Sequence, residues 1–259
     1  MRTATAADTA PAARQTDVAR AAALIADPSR ARVLKALCDG RALPAGALAA
    51  EAGVGAPTVS AHLSKLVAGG LVTAERHGRQ RRYRLTGPEV TAALEALALI
   101  APPLPVTSLR ESGVANALHR ARTCYDHLAG QLGVALMAAL LERGLLAGHD
   151  GGHDPATAVR DRPAAYGHDA EYRMTDAGRD GLRAFGVDPD GLPRRRPAVR
   201  YCVDWSEHRH HLAGGLGAAL TARLFALGWL RHGVSPRVVH PTDAGARGLE
   251  RTFGVRVGF

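Results

Sequence analysis

Apolar residues recur with helical spacing in several segments of the first hundred residues. Asp27 followed by Pro28 is typical of a helix start, and Gly53 stands where the next helix would end. The pattern predicts one helix that begins at Pro28 and others over 45–52, 56–68 and 88–100. Residues 71–76 and 81–85 are typical of two strands that flank a short turn. Three helices, a β-hairpin and a further helix are the order of a winged helix-turn-helix.

The second half of the chain contains an internal repeat. The sequence His-Leu-Ala-Gly begins a leucine-rich segment at His127 and again at His211, and each segment leads to a Thr-Asp-Ala-Gly step at Thr175 or Thr242. Two matched anchors in the same order, in units of roughly 60–75 residues, indicate a duplicated unit. Each unit resembles a degenerate winged helix that keeps a hairpin and a final helix. Paired glycines would let the Ala-rich helices pack closely on each other; they are Gly130, Gly133, Gly214 and Gly217.

These patterns predict a mainly α fold with small β-hairpins, in which an N-terminal winged helix-turn-helix precedes two repeated, degenerate winged-helix-like units. Prolines within 101–105 and 189–197 indicate linkers. The predicted divisions are a disordered tail over 1–16, a DNA-binding domain over 17–100, a first repeat unit over 101–188 that serves as a sensor or dimer module, and a second repeat unit over 189–259.

Composition narrows the class of protein. Apolar residues make up 46% of the chain, which excludes a wholly disordered protein. The net charge of +9 and the pI of about 10.3 favour a polyanionic partner, nucleic acid before an acidic membrane. The three cysteines are too few for a disulfide scaffold and fit a reducing cytoplasm. Since no apolar run approaches the ~20 residues that span a bilayer, we expect a cytoplasmic protein without a membrane partner.

The segment 47–68 has the pattern of a helix-turn-helix, and its second helix would enter the major groove of double-stranded DNA. Short polar side chains at the start of that helix would face base edges, and a cluster of arginines around the hairpin turn would follow phosphates. Strand alternation would send Arg82 and Arg84 to one face of the hairpin and Arg81 with Tyr83 to the other. The candidate DNA-binding residues are Pro57, Thr58, Ser60, His62, Lys65, Arg76, Arg79, Arg81 and Arg82.

Four short motifs give residues 17–100 a resemblance to a known family. They are ADPSR at 26–30, PTVSAHLSKL at 57–66, GGLV at 69–72, and the hairpin from GR at 78–79 to YRL at 83–85. This part of the chain resembles the ArsR family of bacterial winged-helix repressors. The resemblance implies a homodimer, a palindromic operator and release of DNA when an inducer binds.

The chain departs from that family at both of its usual metal sites. Sensors of arsenite or cadmium carry a Cys-Val-Cys type of pair where this chain has Pro-Ala-Gly-Ala at 44–47. Zinc sensors carry His and acidic ligands on the last helix of the domain, where 90–100 offers only Glu95. No metal site and no cofactor are therefore predicted, and any sensing must lie in the C-terminal half.

Two homologous units commonly pair about a pseudo-twofold axis, which would bring equivalent positions to a shared cleft. The residues proposed to bind a small-molecule inducer there are Cys124, Tyr125, His127, Cys202, Trp205 and His211, with Tyr201 as a further apolar wall. An organic ligand ranks first, because aromatic residues outnumber credible metal ligands; an electrophile or a soft metal ion remains open. Cysteine and histidine are three residues apart in the first unit and nine in the second, so the thiols are predicted not to be strictly equivalent. Two buried, unreactive cysteines are the competing interpretation.

The remaining polar clusters do not predict catalysis. The histidines and aspartates at 149–154 lie in a glycine-rich stretch that is typical of a solvated loop, and no nucleophile motif accompanies 204–208. The sequence therefore predicts a dimeric DNA-binding transcriptional regulator, a repressor rather than an enzyme. The alternatives are a metal- or thiol-reactive sensor or enzyme fused to a DNA-binding head, and an architectural DNA binder without an inducer.

Overall fold

The structure of the protein is a computed structural model that describes residues 16–38, 40–78, 80–102, 109–161, 163, 166–233 and 237–258. The predicted tail over 1–16 lies outside these residues except for Thr16, and most of the predicted linker at 101–105 lies outside them as well. Within the described part of the chain, no helix has both the length and the apolar character to cross a membrane.

The N-terminal domain has the predicted winged helix-turn-helix order. Its elements are α1 Val18–Ile25, α2 Pro28–Ala36, β1 Leu43–Pro44, α3 Ala45–Ala52, α4 Ala56–Ala68, β2 Val72–His77, β3 Gln80–Leu85 and α5 Pro88–Ile100. The carboxylate of Asp27 accepts the backbone N–H groups of Ser29 and Arg30 and so begins α2. Gly53 ends α3 at a φ of 67°, which makes the tight turn into α4.

The sequence pattern missed α1 and β1. β1 pairs antiparallel with β3, so the hairpin is part of a three-stranded sheet in the order β1-β3-β2 and β3 is its central strand. A two-residue strand is too short to show alternation in sequence. The domain has its own apolar core, formed by residues of α2, α3, α4 and the sheet; its fully buried leucines are Leu34, Leu37, Leu48, Leu63 and Leu66.

The C-terminal region contains two units with the same order of elements, and each has one more hairpin than the sequence pattern predicts. After α6 Leu109–Arg120, each unit runs hairpin, helix, hairpin, helix. The first unit contains β4 Arg122–Cys124, β5 His127–Ala129, α7 Gly130–Glu142, β6 Leu146–Gly148, β7 Tyr172–Met174 and α8 Asp176–Phe185. The second contains β8 Arg200–Val203, β9 His210–Ala213, α9 Gly214–Ala226, β10 Leu230–His232, β11 Val239–Pro241 and α10 Asp243–Phe253.

The two units pack so that the first helix of each unit lies against the first hairpin of the other, an arrangement called here the exchange of neighbours. α7 of the first unit lies against β9 of the second, α9 lies against β5, and β5 contacts β9 directly. One continuous apolar core contains residues from both units, among them Leu132 and Met137 of α7, Leu216 of α9 and Leu249 of α10. Gly133 and Gly217 therefore do not bring two helices together as expected. A Cβ on Gly133 would lie 3.6 Å from Cβ of His211, and one on Gly217 would lie 3.2 Å from Cβ of His127, so they let each helix approach the other unit's hairpin.

Candidate functional site

The exposed face of α4 carries most of the candidate base-contacting residues. Val59, Leu63 and Leu66 are fully buried, which fixes the helix against the domain core and turns Pro57, Thr58, Ser60 and Lys65 to solvent. His62 differs, because its Nδ1 lies 3.8 Å from Oδ1 of Asp27 and its side chain is mostly buried. The arrangement leaves a short, polar helix face free for a groove of DNA.

The predicted alternation on the returning strand is visible in the hairpin, although the arginines differ in exposure. Arg76 and Arg81 are exposed, and the Arg81 guanidinium lies 5.5 Å from the ring centre of Tyr83. Arg82 is half-buried beside β1, and Arg84 forms an ion pair with Glu75 on β2. Arg79 lies outside the described residues. Of the described hairpin arginines proposed to contact DNA, Arg76 and Arg81 are therefore the most accessible to a phosphate.

Two hairpins that the sequence pattern did not predict place the cysteines and histidines of the C-terminal units. In the first, Cys124 of β4 is the cross-strand partner of His127 of β5. In the second, Cys202 of β8 is the cross-strand partner of His211 of β9. The inference from spacing that the thiols are not equivalent is therefore wrong. Register pairs residues across strands, and the longer loop of the second hairpin takes up the additional residues.

The exchange of neighbours brings these four residues together as one Cys–His cluster (Cys124, His127, Cys202 and His211). Their ligand atoms all lie within 4.8 Å of one another, and every one of the four residues is at most 6% exposed. Sγ of Cys202 lies 3.5 Å from Nε2 of His127. The imidazoles of His127 and His211 stack with their centres 5.2 Å apart. All three cysteines of the chain are thiols rather than disulfides.

A carboxylate stands behind each histidine of the cluster. Oδ1 of Asp126 lies 3.4 Å from Nδ1 of His127, and Oδ2 of Asp204 lies 3.3 Å from Nδ1 of His211. Burial lowers the pKa of His127, but the Cys124 thiolate and Asp126 outweigh burial and raise that pKa to about 9. The cluster can therefore hold a charged histidine away from water beside two cysteines, which is an arrangement of residues that suits ligation or thiol chemistry.

Asp204 is also the central acceptor of a buried network. Nη2 of Arg122 donates to its Oδ1 at 2.7 Å, and the backbone N–H of Gly130 donates to its Oδ2 at 2.7 Å. Burial raises the pKa of Asp204, but His211 and Arg122 overcome that effect and hold it far below its usual range. Since Arg122 and Gly130 belong to the first unit, Asp204 of the second unit holds both units together.

The structure places Trp205 and Tyr201 away from the Cys–His cluster. Trp205 lies under the Arg122 guanidinium, whose carbon is 4.4 Å from the ring centre, and contacts His119. Tyr201 alternates with Cys202 along β8 and therefore faces the other side of the hairpin, where it contacts Tyr172. Instead, Tyr166 stacks near His127, with ring centres 6.4 Å apart. An aromatic-walled pocket around the cysteines is thus not what the described residues form.

Tyr125 links the cluster to the DNA-binding domain. It occupies the turn between Cys124 and His127 with a φ of 58°, a backbone conformation that is rare for a residue with a side chain. A Cβ on Gly40, in the loop after α2, would lie 3.4 Å from Cε2 of Tyr125. The hairpin that supplies half of the cluster therefore touches the domain that carries α4.

A second cleft of about 460 Å³ opens on the other face of the β8–β9 hairpin. His149, Asp150, Asp154 and His210 line it, so the segment predicted to be a solvated loop forms one wall. Burial and the neighbouring His149 lower the pKa of His210 to about 4, and Oη of Tyr172 lies 2.6 Å from its Nδ1. His153, Asp161 and His210 also offer close ligand atoms, but Asp161 already accepts from Tyr201 Oη.

Sequence reasoning missed the two carboxylates, although a signal for them exists. The pattern Arg-x-Cys-x-Asp occurs at Arg122 to Asp126 and again at Arg200 to Asp204. Together with His-Leu-Ala-Gly it defines both hairpins, and it would have identified Asp126 and Asp204 as partners of the histidines.

Similar proteins are known for the N-terminal domain and for nearly the whole chain. Residues 25–75 match the family model described as a helix-turn-helix domain. The uncharacterized HTH-type transcriptional regulator YdfF of Bacillus subtilis (strain 168) is 36% identical over 242 residues, which cover 93% of this chain and 99% of that protein. The HTH-type transcriptional regulator CmtR of Mycobacterium bovis is 45% identical over 84 residues, which cover 32% of this chain and 70% of that protein.

Solved structures resemble the N-terminal part. The NMR structure of the cadmium metal-sensor CmtR from Mycobacterium tuberculosis shares 39% identity, covers 36% of this chain and 100% of that one, and has a TM-score of 0.29. The crystal structure of NolR from Sinorhizobium fredii shares 33% identity, covers 32% of this chain and 81% of that one, and has a TM-score of 0.30.

The likeness to YdfF extends far beyond the helix-turn-helix, because it spans nearly the whole of both proteins. The chain therefore belongs to the HTH-type transcriptional regulators, which confirms the prediction of a DNA-binding transcriptional regulator.

Proposed function

We propose that this regulator is a cytoplasmic homodimeric repressor that binds a palindromic operator and releases it when a ligand engages the Cys–His cluster. The observation that carries the proposal is the convergence of Cys124, His127, Cys202 and His211 from two repeated hairpins in one buried cluster. The duplicated module places two thiols and two imidazoles next to one another in its interior. Such polar, reactive groups favour a sensor site over a simple apolar core. The sequence contains no nucleophile motif of the kind that would favour an enzyme.

The DNA-binding side is supported by the surface of the N-terminal domain. Thr58 and Ser60 on α4 are exposed and short enough to approach base edges. Arg76 and Arg81 stand on the exposed part of the hairpin, where charge can follow the phosphate backbone. We assign base reading to α4 and sequence-independent affinity to the hairpin.

The dimer is supported by apolar side chains that the single chain leaves in water. Helix α1 buries none of its residues, and Val18 is 70% exposed. On α5, Leu97 is 42% and Ile100 is 81% exposed. A second copy would cover these side chains and place two α4 helices for half-sites ~34 Å apart on DNA.

The link between sensor and reader is supported by the Tyr125–Gly40 contact. A ligand that draws β4 and β5 toward β8 and β9 would move the turn that holds Tyr125. That turn touches the loop after α2, so the change would reach the domain that contacts DNA. Release follows if the ligand-bound geometry no longer matches the half-site spacing.

Fluorescence anisotropy with the protein's own promoter fragment and with random DNA tests the reader. Thr58→Ala/Ser60→Ala should lower the preference for the promoter by about 10-fold or more, since each lost base contact costs ~1–3 kcal/mol of discrimination. Arg76→Ala/Arg81→Ala should weaken binding to both DNAs and lower the log–log salt slope by about one to two. The control is Arg251→Ala, an exposed arginine on α10. Unchanged affinity and slope in the arginine variant would reject the proposed docking.

Sedimentation of Leu97→Glu/Ile100→Glu tests the dimer, with Val159→Glu as control because Val159 is also 70% exposed but lies in the C-terminal region. The first variant should be monomeric and bind promoter DNA weakly, and the control should remain dimeric.

A reporter gene under the protein's own promoter tests whether the Cys–His cluster controls DNA binding. Cys124→Ser/Cys202→Ser should hold the reporter at one level under conditions in which the wild-type output varies, and an unaltered response would exclude the cluster as the sensor.

A further inference from the structure

We infer that the Cys–His cluster is a tetrahedral site for a divalent d¹⁰ cation, Zn²⁺ or Cd²⁺. The site is a property of the C-terminal module alone. Its regulatory consequence rests on the function proposed above, because the ligand of that function would then be the cation itself.

The donor set and its dimensions agree with this ion class. Two thiolates and two imidazoles in tetrahedral arrangement are the preferred ligands of Zn²⁺ and of heavier ions of the same type. Bonds of ~2.3 Å to sulfur and ~2.0 Å to nitrogen place neighbouring tetrahedral ligand atoms about 3.3–3.8 Å apart. The distance of 3.5 Å between Sγ of Cys202 and Nε2 of His127 already lies in that interval. The remaining ligand atoms, all within 4.8 Å of one another, need to close by about 1.5 Å at most.

The histidines are oriented as metal ligands are. A ligating imidazole usually directs its other ring nitrogen to a carboxylate, which fixes the tautomer and aims the free nitrogen at the metal. Asp126 lies behind Nδ1 of His127 and Asp204 behind Nδ1 of His211. Both ring nitrogens of His211 are buried, and neither makes a hydrogen bond of good geometry within the described residues, although Asp204 and Cys124 lie close to the ring. A buried nitrogen without a partner is costly, and a cation at the centre of the cluster would supply the missing interaction.

The surroundings indicate a closed site. Ala129 and Ala213 pack on the two cysteines together with Tyr166, and the two alanines are fully buried. Four protein ligands with no open position hold a cation for structure or signalling and leave no place for a substrate. The two thiolates also neutralise the charge of a divalent ion, so that the burial costs less than for either component alone.

The position of the ligands gives the cation a mechanical effect. Each unit contributes one cysteine and one histidine from facing strands of a hairpin. A bound ion therefore ties the β4–β5 hairpin to the β8–β9 hairpin, and Tyr125 lies in the turn of the first. Occupancy would be transmitted to the loop at Gly40 through this contact.

Titration of the reduced full-length protein with Cd²⁺, after removal of metal by a chelator, tests the site directly. We expect one equivalent per chain and an ultraviolet thiolate-to-cadmium charge-transfer band. Zinc K-edge absorption of the Zn²⁺-loaded wild type should give two sulfur and two nitrogen neighbours, a result that needs no variant and so does not depend on folding. A folded wild type that binds no Cd²⁺, or a zinc shell without sulfur, would overturn the inference.

Matched variants locate the site. Cys202→Ser should abolish half of the charge-transfer intensity or more, and His211→Gln should weaken Cd²⁺ binding at least tenfold with circular dichroism unchanged. His153→Ala and His208→Ala are the controls, since His153 belongs to the oxygen-containing second cleft and His208 is exposed in the β8–β9 loop. Both controls should retain the band. Loss of the band in His153→Ala with retention in Cys202→Ser would place the metal in the other cleft and reject the proposal.

Measuring the promoter affinity of the metal-free and Zn²⁺-loaded forms distinguishes the existence of the metal site from its proposed regulatory role. A change of about tenfold supports both, since couplings between sites commonly lie between 5- and 150-fold. Stoichiometric cysteine-bound metal without any change in promoter affinity would retain the site and reject its regulatory role. A change in affinity caused by air oxidation of Cys124 and Cys202, in a protein that binds no metal, would retain the sensor and reject the cation.

Discussion

The two hairpins that form the Cys–His cluster supply the same ligands but are anchored differently. In the first unit, the turn after Cys124 is short, Tyr125 faces the DNA-binding domain, and Asp126 pairs with Arg196 near the surface. In the second unit, the loop after Val203 is longer and Asp204 is fully buried against Arg122. One hairpin is therefore fixed within the module, and the other carries the outward contact.

This difference shows how a duplicated unit can divide one task between its copies. Equivalent cross-strand positions keep the ligand set symmetric, so each copy contributes the same chemistry. The turns are free to differ, because residues beyond the register do not affect the pairing of the strands. The second copy has used its loop to build a buried anchor, whereas the first has used its turn to reach another domain.

The largest expected effect comes from the buried anchor. Asp204→Asn leaves the guanidinium of Arg122, whose side chain is 1% exposed, without its carboxylate, and should lower the free energy of unfolding by about 3–5 kcal/mol. Asp126→Asn, the equivalent change in the first unit, breaks a partly exposed pair with Arg196 and the contact with His127, and should cost less than Asp204→Asn. Urea unfolding of the metal-free protein measures both. Equal losses would mean that the two carboxylates do not differ as described.

Substitution of the helix glycines should affect both units alike. A Cβ on Gly133 would lie 2.5 Å from the carbonyl oxygen of Leu128, and one on Gly217 would lie 2.6 Å from that of Leu212. Gly133→Ala and Gly217→Ala should each lower the free energy of unfolding by about 1–3 kcal/mol, because the backbone has to move. Gly113→Ala on α6 is the control, since a Cβ there meets no atom within 4 Å. A large difference between the first two variants would disprove equivalent packing.

Loss of the outward contact should affect communication more than binding. Tyr125→Ala should reduce the difference in promoter affinity between the metal-free and Zn²⁺-loaded forms by about fivefold, with the Cd²⁺ affinity within about twofold of wild type. His208→Ala in the loop of the second unit should leave both quantities unchanged. Competition anisotropy and Cd²⁺ titration on the same preparations provide the two measurements. A full response in Tyr125→Ala would show that coupling follows another route.

The smallest effect concerns Tyr125 and His208, which among the described residues other than glycine have a positive φ, of 58° and 51° respectively. His208→Gly removes left-handed strain from an exposed residue and should raise the free energy of unfolding by at most about 1 kcal/mol. Tyr125→Gly removes the same strain but also the packing against Gly40, so its net effect should be zero or a loss. Thermal unfolding of both variants measures these changes. If Tyr125→Gly stabilises the protein, the contact of Tyr125 with Gly40 contributes nothing to stability.

The sequence predicted most elements of the N-terminal domain because their signals are local. Asp27 and Pro28 begin α2, Gly53 ends α3, and the apolar face of α4 repeats with helical period. The short strand β1 was missed because its pairing with β3 depends on residues about 40 positions away. Propensity within a window cannot reveal a partner at that distance.

The candidate site was visible only in part for a related reason. The repeat of His-Leu-Ala-Gly indicated that His127 and His211 hold equivalent positions, and geometry then favoured a common location. Sequence spacing from cysteine to histidine misled, because a hairpin relates residues across strands whatever the loop length. The exchange of helices between the units, which encloses the cluster, rests on contacts between residues some 80 positions apart and leaves no local pattern.

That exchange has a consequence for synthesis on the ribosome. The core beneath α7 includes Leu249 and Phe253 of α10, more than 100 residues later in the chain. At translation rates of ~5–20 residues per second, α7 waits on the order of 10 s for its partner. The N-terminal domain has its own core and needs no such wait. A nascent chain therefore presents a folded DNA-binding head for several seconds before the module proposed to control it can close.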